Sequence, residues 1–200
     1  MILVSANIFK GKDGAELYKS ILKLSDIGGF INASKGWNGL NILHNNIATV
    51  GALELGIKPT IKNDTNKSKL VILLGYDDFL PTDIDPNAFV IYIGSHGDKG
   101  AERANIVLPG GTYLEKNSTY VSTEGRVETT KSSIQPPLLA REDWEIIRAI
   151  SEVVDATLPY DELYDVRNRI AELAPHLIKY GVVEPHSLPE NFFDLHNESN

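Results

Sequence analysis

Residues 89–111 read FVIYIGSHGDKGAERANIVLPGG. Two short apolar, β-branched-rich runs, Phe89–Ile93 and Asn105–Leu108, flank a short helical segment around Ala101–Ala104. Each run is apolar at successive positions, so both of its faces need cover. That is the signature of a strand in a parallel sheet with helices on either side. LVILLG, from Leu70, is a third run of this kind, and MILVSANIF predicts a fourth strand near Ile2–Ile8. GAELYKSILKL places Leu17, Ile21, Leu22 and Leu24 as a helical stripe. LNILHNNIATVGALELG places Leu40, Leu43, Ile47, Val50 and Leu53 on one side of a second helix, ended by Gly56 and Pro59, with His44 semi-buried beside it. TIKNDTNKSK reads as a solvated loop. Alternation of strand and helix predicts a three-layer α/β domain. Its mainly parallel central sheet contains Ile2–Ile8, Leu70–Leu74, Phe89–Ile93 and Asn105–Leu108, with helices on both faces.

Beyond residue 111 the pattern changes. TYLEKNSTYVSTEGRVETTKSSIQPP is polar and rich in Thr and Ser, a functional loop or a segment packed on a partner. REDWEIIRAISEVV is a helix with Glu142 and Asp143 at its positive end and Trp144, Ile147, Ile150 and Val154 as its buried stripe, Trp144 anchoring it on the sheet. YDELYDVRNRIAELAP is a further helix, with Leu163, Val166, Ile170 and Leu173 inward, Asp165 and Arg169 paired at i, i+4, and Pro175 after its end. The chain thus divides into an α/β domain over 1–181 and an extended C-terminal tail over 182–200.

The 200 residues are 42% hydrophobic and 23% charged, ordinary for a globular protein. Nineteen basic against 27 acidic residues give a net charge of −8, which disfavours nucleic acid and anionic lipid as partners. No cysteine is present, so disulfides, thiol nucleophiles and cysteine-held iron–sulfur clusters are excluded. The longest apolar runs are too short to insert directly into a membrane. The start of the chain has neither the basic segment of a signal peptide nor the Arg/Ser-rich character of a transit peptide.

Four groups of residues are candidates for chemistry. Gly94, Gly97 and Gly100 follow a strand as G-x-x-G-x-x-G, which is neither the dinucleotide fingerprint nor a P-loop. They lie where open α/β sheets bind ligands, yet glycines equally serve tight turns, the reading preferred here. His96 suits a general base, but no nucleophile elbow or carboxylate partner accompanies it, so it reads as a loop histidine in a hydrogen-bond network. Asp77 and Asp78 end a strand and could ligate Mg²⁺, but read as solvated loop charge. His176, His186 and His196 lack metal-site spacing and read as unrelated surface residues.

ANIVLPGGTYLEKNSTYVSTEGRVETT, residues 104–130, resembles the molybdopterin oxidoreductase superfamily. There an A-D-[VI]-[VI]-L-P strand leads into E-K-x-x-T-[YF]-x-N-T-E-G-R. Ala104–Pro109 match the strand, with Asn105 where aspartate is usual. Glu115–Lys116, Thr119–Tyr120 and Thr123–Arg126 match the rest, with Ser122 where asparagine is common. Further stretches over residues 41–181, in order, resemble the C-terminal, molybdopterin-oxidoreductase-like part of the largest iron–sulfur subunit of respiratory complex I. The mitochondrial and alphaproteobacterial form fits best.

That resemblance implies a redox-silent structural subunit of the peripheral arm, on the matrix side of the mitochondrial inner membrane or, alternatively, the bacterial cytoplasmic face. The implied partners are the ferredoxin-like iron–sulfur half of the subunit and other peripheral-arm subunits, which would carry the iron–sulfur clusters and FMN. No catalytic, cofactor-binding or metal-binding residue is expected in this chain, and Arg126 is expected to tie the polar segment back to the domain. A fragment completing a molybdopterin site with another chain, or a stand-alone small-molecule-binding α/β domain, are the alternatives. A start directly at a strand and richness in Ile, Asn and Lys suggest a split or organelle-encoded gene, a truncated chain being the competing explanation.

Overall fold

The computed structural model describes residues 1–32, 35–57 and 68–184. They fall into two compact units. The first takes residues up to Ile57, Tyr120–Glu128 and the stretch from Leu173; the second takes the stretch ending at Thr119 together with Thr129–Glu172.

In the first unit, β1 (Ile2–Ser5) pairs in parallel with β4 (Leu40–Leu43), Ile2 opposite Leu40. Between them lie a 3₁₀ turn at Ala6–Lys10, helix α1 (Gly14–Ile27), and the antiparallel pair β2 (Ile31–Asn32) and β3 (Trp37–Asn38). Val4, Leu22, Ile31 and Leu40 form the core, with Ile2, Phe9, Tyr18 and Ile21 packed around it. Three expectations are corrected here. The first strand is shorter than Ile2–Ile8 and pairs with β4 instead of joining the larger sheet. On α1, Leu17 and Leu24 are exposed, and the inward stripe is Tyr18, Ile21, Leu22 and Ser25. Ser25 can be buried because its hydroxyl donates to the Ile21 carbonyl at 2.8 Å, while the Tyr18 ring meets Phe9 edge-on at 5.5 Å. The helix expected from Leu40 is limited to α2 (Thr49–Glu54). Leu40–Leu43 is strand because a short apolar run is ambiguous alone, and β1 supplies a partner that a helix would forgo. His44 is half-buried, in the connection after the strand rather than beside a helix. Gly56 does follow the helix, in the left-handed region; Pro59 and most of the 60–69 loop lie outside the described residues.

The second unit carries β5 (Leu70–Leu74), β6 (Phe89–Gly94) and β7 (Ile106–Pro109), all parallel, in the order β5-β6-β7. Helix α3 (Lys99–Arg103) covers one face, where Leu73, Ile84, Ala88, Val90 and Tyr92 make the core with Ala101 and Ala104 against it. Helix α4 (Asp143–Val153) packs on β6 from the other face. Helices on both sides of a parallel sheet give the three-layer α/β arrangement expected from the sequence. Asn105, where the resembling family usually has aspartate, accepts through its Oδ1 from Val90 N at 2.8 Å, prolonging the β6–β7 ladder. A carboxylate would accept the same bond.

On α4 the buried positions are Ile146 and Ser151; of the expected stripe, Trp144 and Ile150 are half-buried, whereas Ile147 and Val154 face outward. The side chain of Ser151 accepts from Leu158 N at 3.0 Å, fixing the chain's exit from the helix. Helix α5 (Leu163–Leu173) has Leu163, Val166 and Ile170 half-buried and Leu173 exposed. Asp165 does not pair with Arg169. Its Oδ2 accepts from the backbone N–H groups of Asp161 and Glu162, and Arg169 donates to Glu172. Pro175 opens a 3₁₀ turn directly after the helix. The polar segment contains a hairpin, β8 (Thr119–Val121) and β9 (Val127–Thr129). Residues 185–200, including His186 and His196, lie outside the described residues.

Candidate functional site

The carboxyl ends of β6 and β7 are where a parallel sheet would present a ligand. β6 ends at Gly94 and leads through Ser95–Asp98 into α3. Gly94 and Gly100 are close-approach positions rather than turn positions. A Cβ on either would stand 2.5–2.6 Å from the ring of Tyr92. The ring is buried, and its hydroxyl donates to Asp77 Oδ2 at 3.3 Å, while Asp77 Oδ1 accepts from Gly100 N at 2.6 Å. Burial raises the Tyr92 phenol above its usual value, with the charges of Asp77 and Asp98 adding to it. Asp77 therefore brackets the end of β5 to the start of α3, which corrects its reading as solvated charge. Gly97 has open space around it and Asp78 is exposed. His96 is exposed, with Ser95 Oγ at 2.9 Å from its Nδ1. His176 is not isolated: its Nε2 stands 2.9 Å from Glu54 Oε2.

β7 runs into Gly110 and Gly111, which the returning chain closes. Arg141 N donates to the Pro109 carbonyl and Gly111 N to the Arg141 carbonyl. From there Lys116 and Asn117 clamp the polar segment to the N-terminus of α4, while Glu115 closes the segment on itself. Glu115 Oε2 accepts from Thr112 N at 2.8 Å. Lys116 Nζ pairs with Asp143 Oδ2 at 2.6 Å, both side chains being half-buried. Asn117 donates through its backbone N and its Nδ2 to Glu142 Oε1, at 3.1 and 2.7 Å, and its Oδ1 accepts from Ser132 N. Glu142 Oε2 accepts from Trp144 Nε1 at 2.9 Å, so the half-buried tryptophan is held at its polar edge while lining the sheet side of α4. Sequence reading found Glu142, Asp143 and the Glu-Lys motif separately. It missed that they bind one another, because nothing in a 27-residue separation announces a contact.

The second motif, Thr123-Glu124-Gly125-Arg126, is the tip of the β8–β9 hairpin. Gly125 has φ +83°, and Ser122 N donates to the Arg126 carbonyl. Ser122 Oγ accepts from Arg126 N at 3.1 Å. Arg126 Nε donates to Glu124 at 2.9 Å, with Glu128 at 3.8 Å, and its Nη1 reaches the Gly181 carbonyl at 3.4 Å. Gly181 N in turn donates to the Val127 carbonyl. Arg126 thus ties the hairpin to the chain that follows α5.

A cavity of about 550 Å³ lies at the strand ends, lined by Gly94, Ser95, Pro109, Thr112, Glu115 and Leu139 among others. A pterin dinucleotide needs donors for its pyrophosphate and walls for its ring. No lysine or arginine lines this cavity, its one carboxylate is turned onto Thr112 N, and apart from the hydroxyls of Ser95 and Thr112 the remaining walls are apolar or glycine. The lining does not fit that group. Among the described residues no cluster of three or more metal-ligating side chains occurs.

The molybdopterin oxidoreductase family profile matches residues 1–153. The NADH-ubiquinone oxidoreductase 78 kDa subunit, mitochondrial, of Candida albicans is 46% identical over 185 residues, 92% of this chain and 25% of that protein. The Neurospora crassa protein of the same name is 41% identical, over 95% of this chain and 26% of its own length. The NADH-ubiquinone oxidoreductase 75 kDa subunit of Reclinomonas americana is 40% identical, over 94% and 28%. The chain therefore spans about a quarter of the length of the curated relatives it matches. With a profile match over three quarters of its residues and both sequence motifs serving the fold, the chain belongs to the molybdopterin oxidoreductase family.

Proposed function

We propose that this chain is a redox-silent structural part of the peripheral arm of respiratory complex I, on the matrix side of the mitochondrial inner membrane. In this reading it supports the iron–sulfur half of the NADH:ubiquinone oxidoreductase electron path, and the clusters and FMN belong to its partners. The observation that carries the reading is similarity over more than nine tenths of the chain to complex I subunits from three organisms. The geometry agrees with it. Lys116 and Asn117 hold the polar segment to α4, Glu115 holds its turn at Thr112, and Arg126 holds the hairpin, so these residues are spent on structure. A molybdopterin enzyme fragment is the poorer reading, given that no lysine or arginine lines the cavity at the strand ends. The chain is expected to migrate on native gels with NADH-oxidising activity, and its depletion to stop assembly of the active complex. Molybdenum or tungsten stoichiometric with this polypeptide, or a fully active complex lacking it, would overturn the proposal.

A further inference from the structure

A guanidinium carries five N–H donors and stays charged at neutral pH, so a half-buried arginine calls for oxygen acceptors. Among the described residues, Arg103, Arg126, Arg141, Arg148 and Arg169 each donate to a carbonyl or carboxylate oxygen. Arg167, on α5, does not. It is half-buried, and its Nε is sealed from solvent with no acceptor, leaving the two Nη nitrogens as its accessible edge. Arg148 also has a sealed Nε, but its Nη1 and Nη2 donate to Glu152 and Asp161 at 2.8 and 2.9 Å. The helical repeat sets Tyr164 and Ala171 beside Arg167, at i−3 and i+4. Tyr164 is 67% exposed and Ala171 is small, so this flank of α5 offers an arginine and a tyrosine with little bulk around them. The carboxylates of α5 lie on another side of the helix and are engaged. Asp165 Oδ2 accepts from the backbone N–H groups of Asp161 and Glu162, and Glu172 accepts from Arg169. The flank is therefore cationic in a chain whose net charge is −8.

We infer that this flank of α5 is an interface, at which Arg167 receives the carboxylate of an aspartate or glutamate from a polypeptide segment of complex I outside these 200 residues. The inference rests on the function proposed above and names one surface that docks. Charge complementarity selects the occupant. Two Nη donors in one plane match the two oxygens of a carboxylate. An anionic lipid headgroup is disfavoured, since such sites gather several cations and this flank presents one. A second copy is disfavoured because each copy brings a net charge of −8. Arginine and tyrosine are also the residue types that concentrate binding energy at protein interfaces.

The test compares Arg167→Gln with Arg169→Gln, whose arginine is already paired with Glu172. Each tagged variant competes with the unmodified chain for a place in the native complex. Arg167→Gln is expected to lower incorporation into the NADH-oxidising complex at least about tenfold, the scale of breaking a desolvated interfacial charge pair. Arg169→Gln is expected to leave incorporation nearly unchanged, since an exposed pair within one helix contributes little. The melt of the isolated chain is expected to be unchanged by Arg167→Gln, because the acceptor lies outside it. A lowered melt would show the arginine serving this fold and would overturn the inference, as would equal incorporation of the two variants. A photo-crosslinking amino acid at Tyr164, in the native complex, identifies the neighbour by mass spectrometry. The expected link is to a peptide outside residues 1–200 that contains an aspartate or glutamate, and exchanging that acid for arginine is expected to restore incorporation of Arg167→Glu. A link to this chain or to a second copy, no link, or failure of the exchanged pair overturns the inference. If the unmodified chain migrates apart from the complex, the proposed function fails and takes this inference with it. If it comigrates and both glutamine variants assemble equally, only the docking surface fails.

Discussion

Tyr92 decides most of what the glycine-rich loop looks like. Its ring fills the space that a side chain at Gly94 or Gly100 would take, and its hydroxyl faces Asp77. The glycine spacing was legible in the sequence, but its cause was not, since glycines that admit a ring and glycines that admit a phosphate are written alike. A phenol whose folded-state pKa is raised keeps its proton longer in the folded protein than in the unfolded chain. Its contribution is complete below the ordinary value of 10.0 and is lost as pH rises through the raised one. Stability measured by denaturant titration is therefore expected to fall as pH climbs above about 10, and Tyr92→Phe to flatten part of that fall. The residual slope belongs to Tyr18, which burial raises in the same direction. At neutral pH Tyr92→Phe is expected to cost about 1 kcal/mol, for one hydrogen bond. An unchanged alkaline slope in the variant would count against this assignment.

At the scale of elements, two short polar clamps organise a segment that sequence reading left as loop or interface. Glu142 precedes the first turn of α4 and accepts from Asn117 twice and from Trp144 once. Glu142→Ala is expected to destabilise the second unit by about 2 kcal/mol, from unsatisfied donors at a half-buried site, and to speed amide exchange at Asn117. Thermal melts and exchange mass spectrometry would read both. Arg126→Ala is expected to speed exchange from Ser122 to Val127 and at Gly181, leaving Thr112–Asn117 slow because the Glu-Lys-Asn clamp holds that part independently. Uniform loosening of the whole segment would show a single cooperative unit instead. The strands β5, β6 and β7 were readable because each is apolar at consecutive positions, a pattern few other elements share. β4 was misread because Leu40, Leu43 and Ile47 satisfy helical spacing as well, and only pairing with β1 resolves the ambiguity. The stripe on α1 was displaced, and that on α4 held only in part, because Ser25 and Ser151 are buried through hydrogen bonds that hydrophobicity cannot register.

For the molecule as a whole, the strand face beside α4, where Leu70, Ile72, Phe89 and Ile106 are 43–49% exposed, predicts behaviour outside its assembly. The isolated chain is expected to bind an apolar dye such as anilinonaphthalene sulfonate while keeping a cooperative melt, and Ile106→Glu to reduce the binding without lowering the melt. Dye binding only on unfolding would mean that the face is covered. A separate consequence follows from the interleaving of the two units along the chain. The first unit begins at the N-terminus and is not complete until the stretch from Leu173 is present, whereas the second needs nothing beyond Glu172. At about 5–20 residues per second, the first unit waits on the order of 10–30 s on the ribosome between its first strand and its last contacts. Val4, Leu22 and Leu40 can gather early, but Val127 meets Tyr180 only near the end. The order of synthesis therefore makes the unit that starts first the one that finishes last, and leaves it the longer exposed to chaperones and proteases.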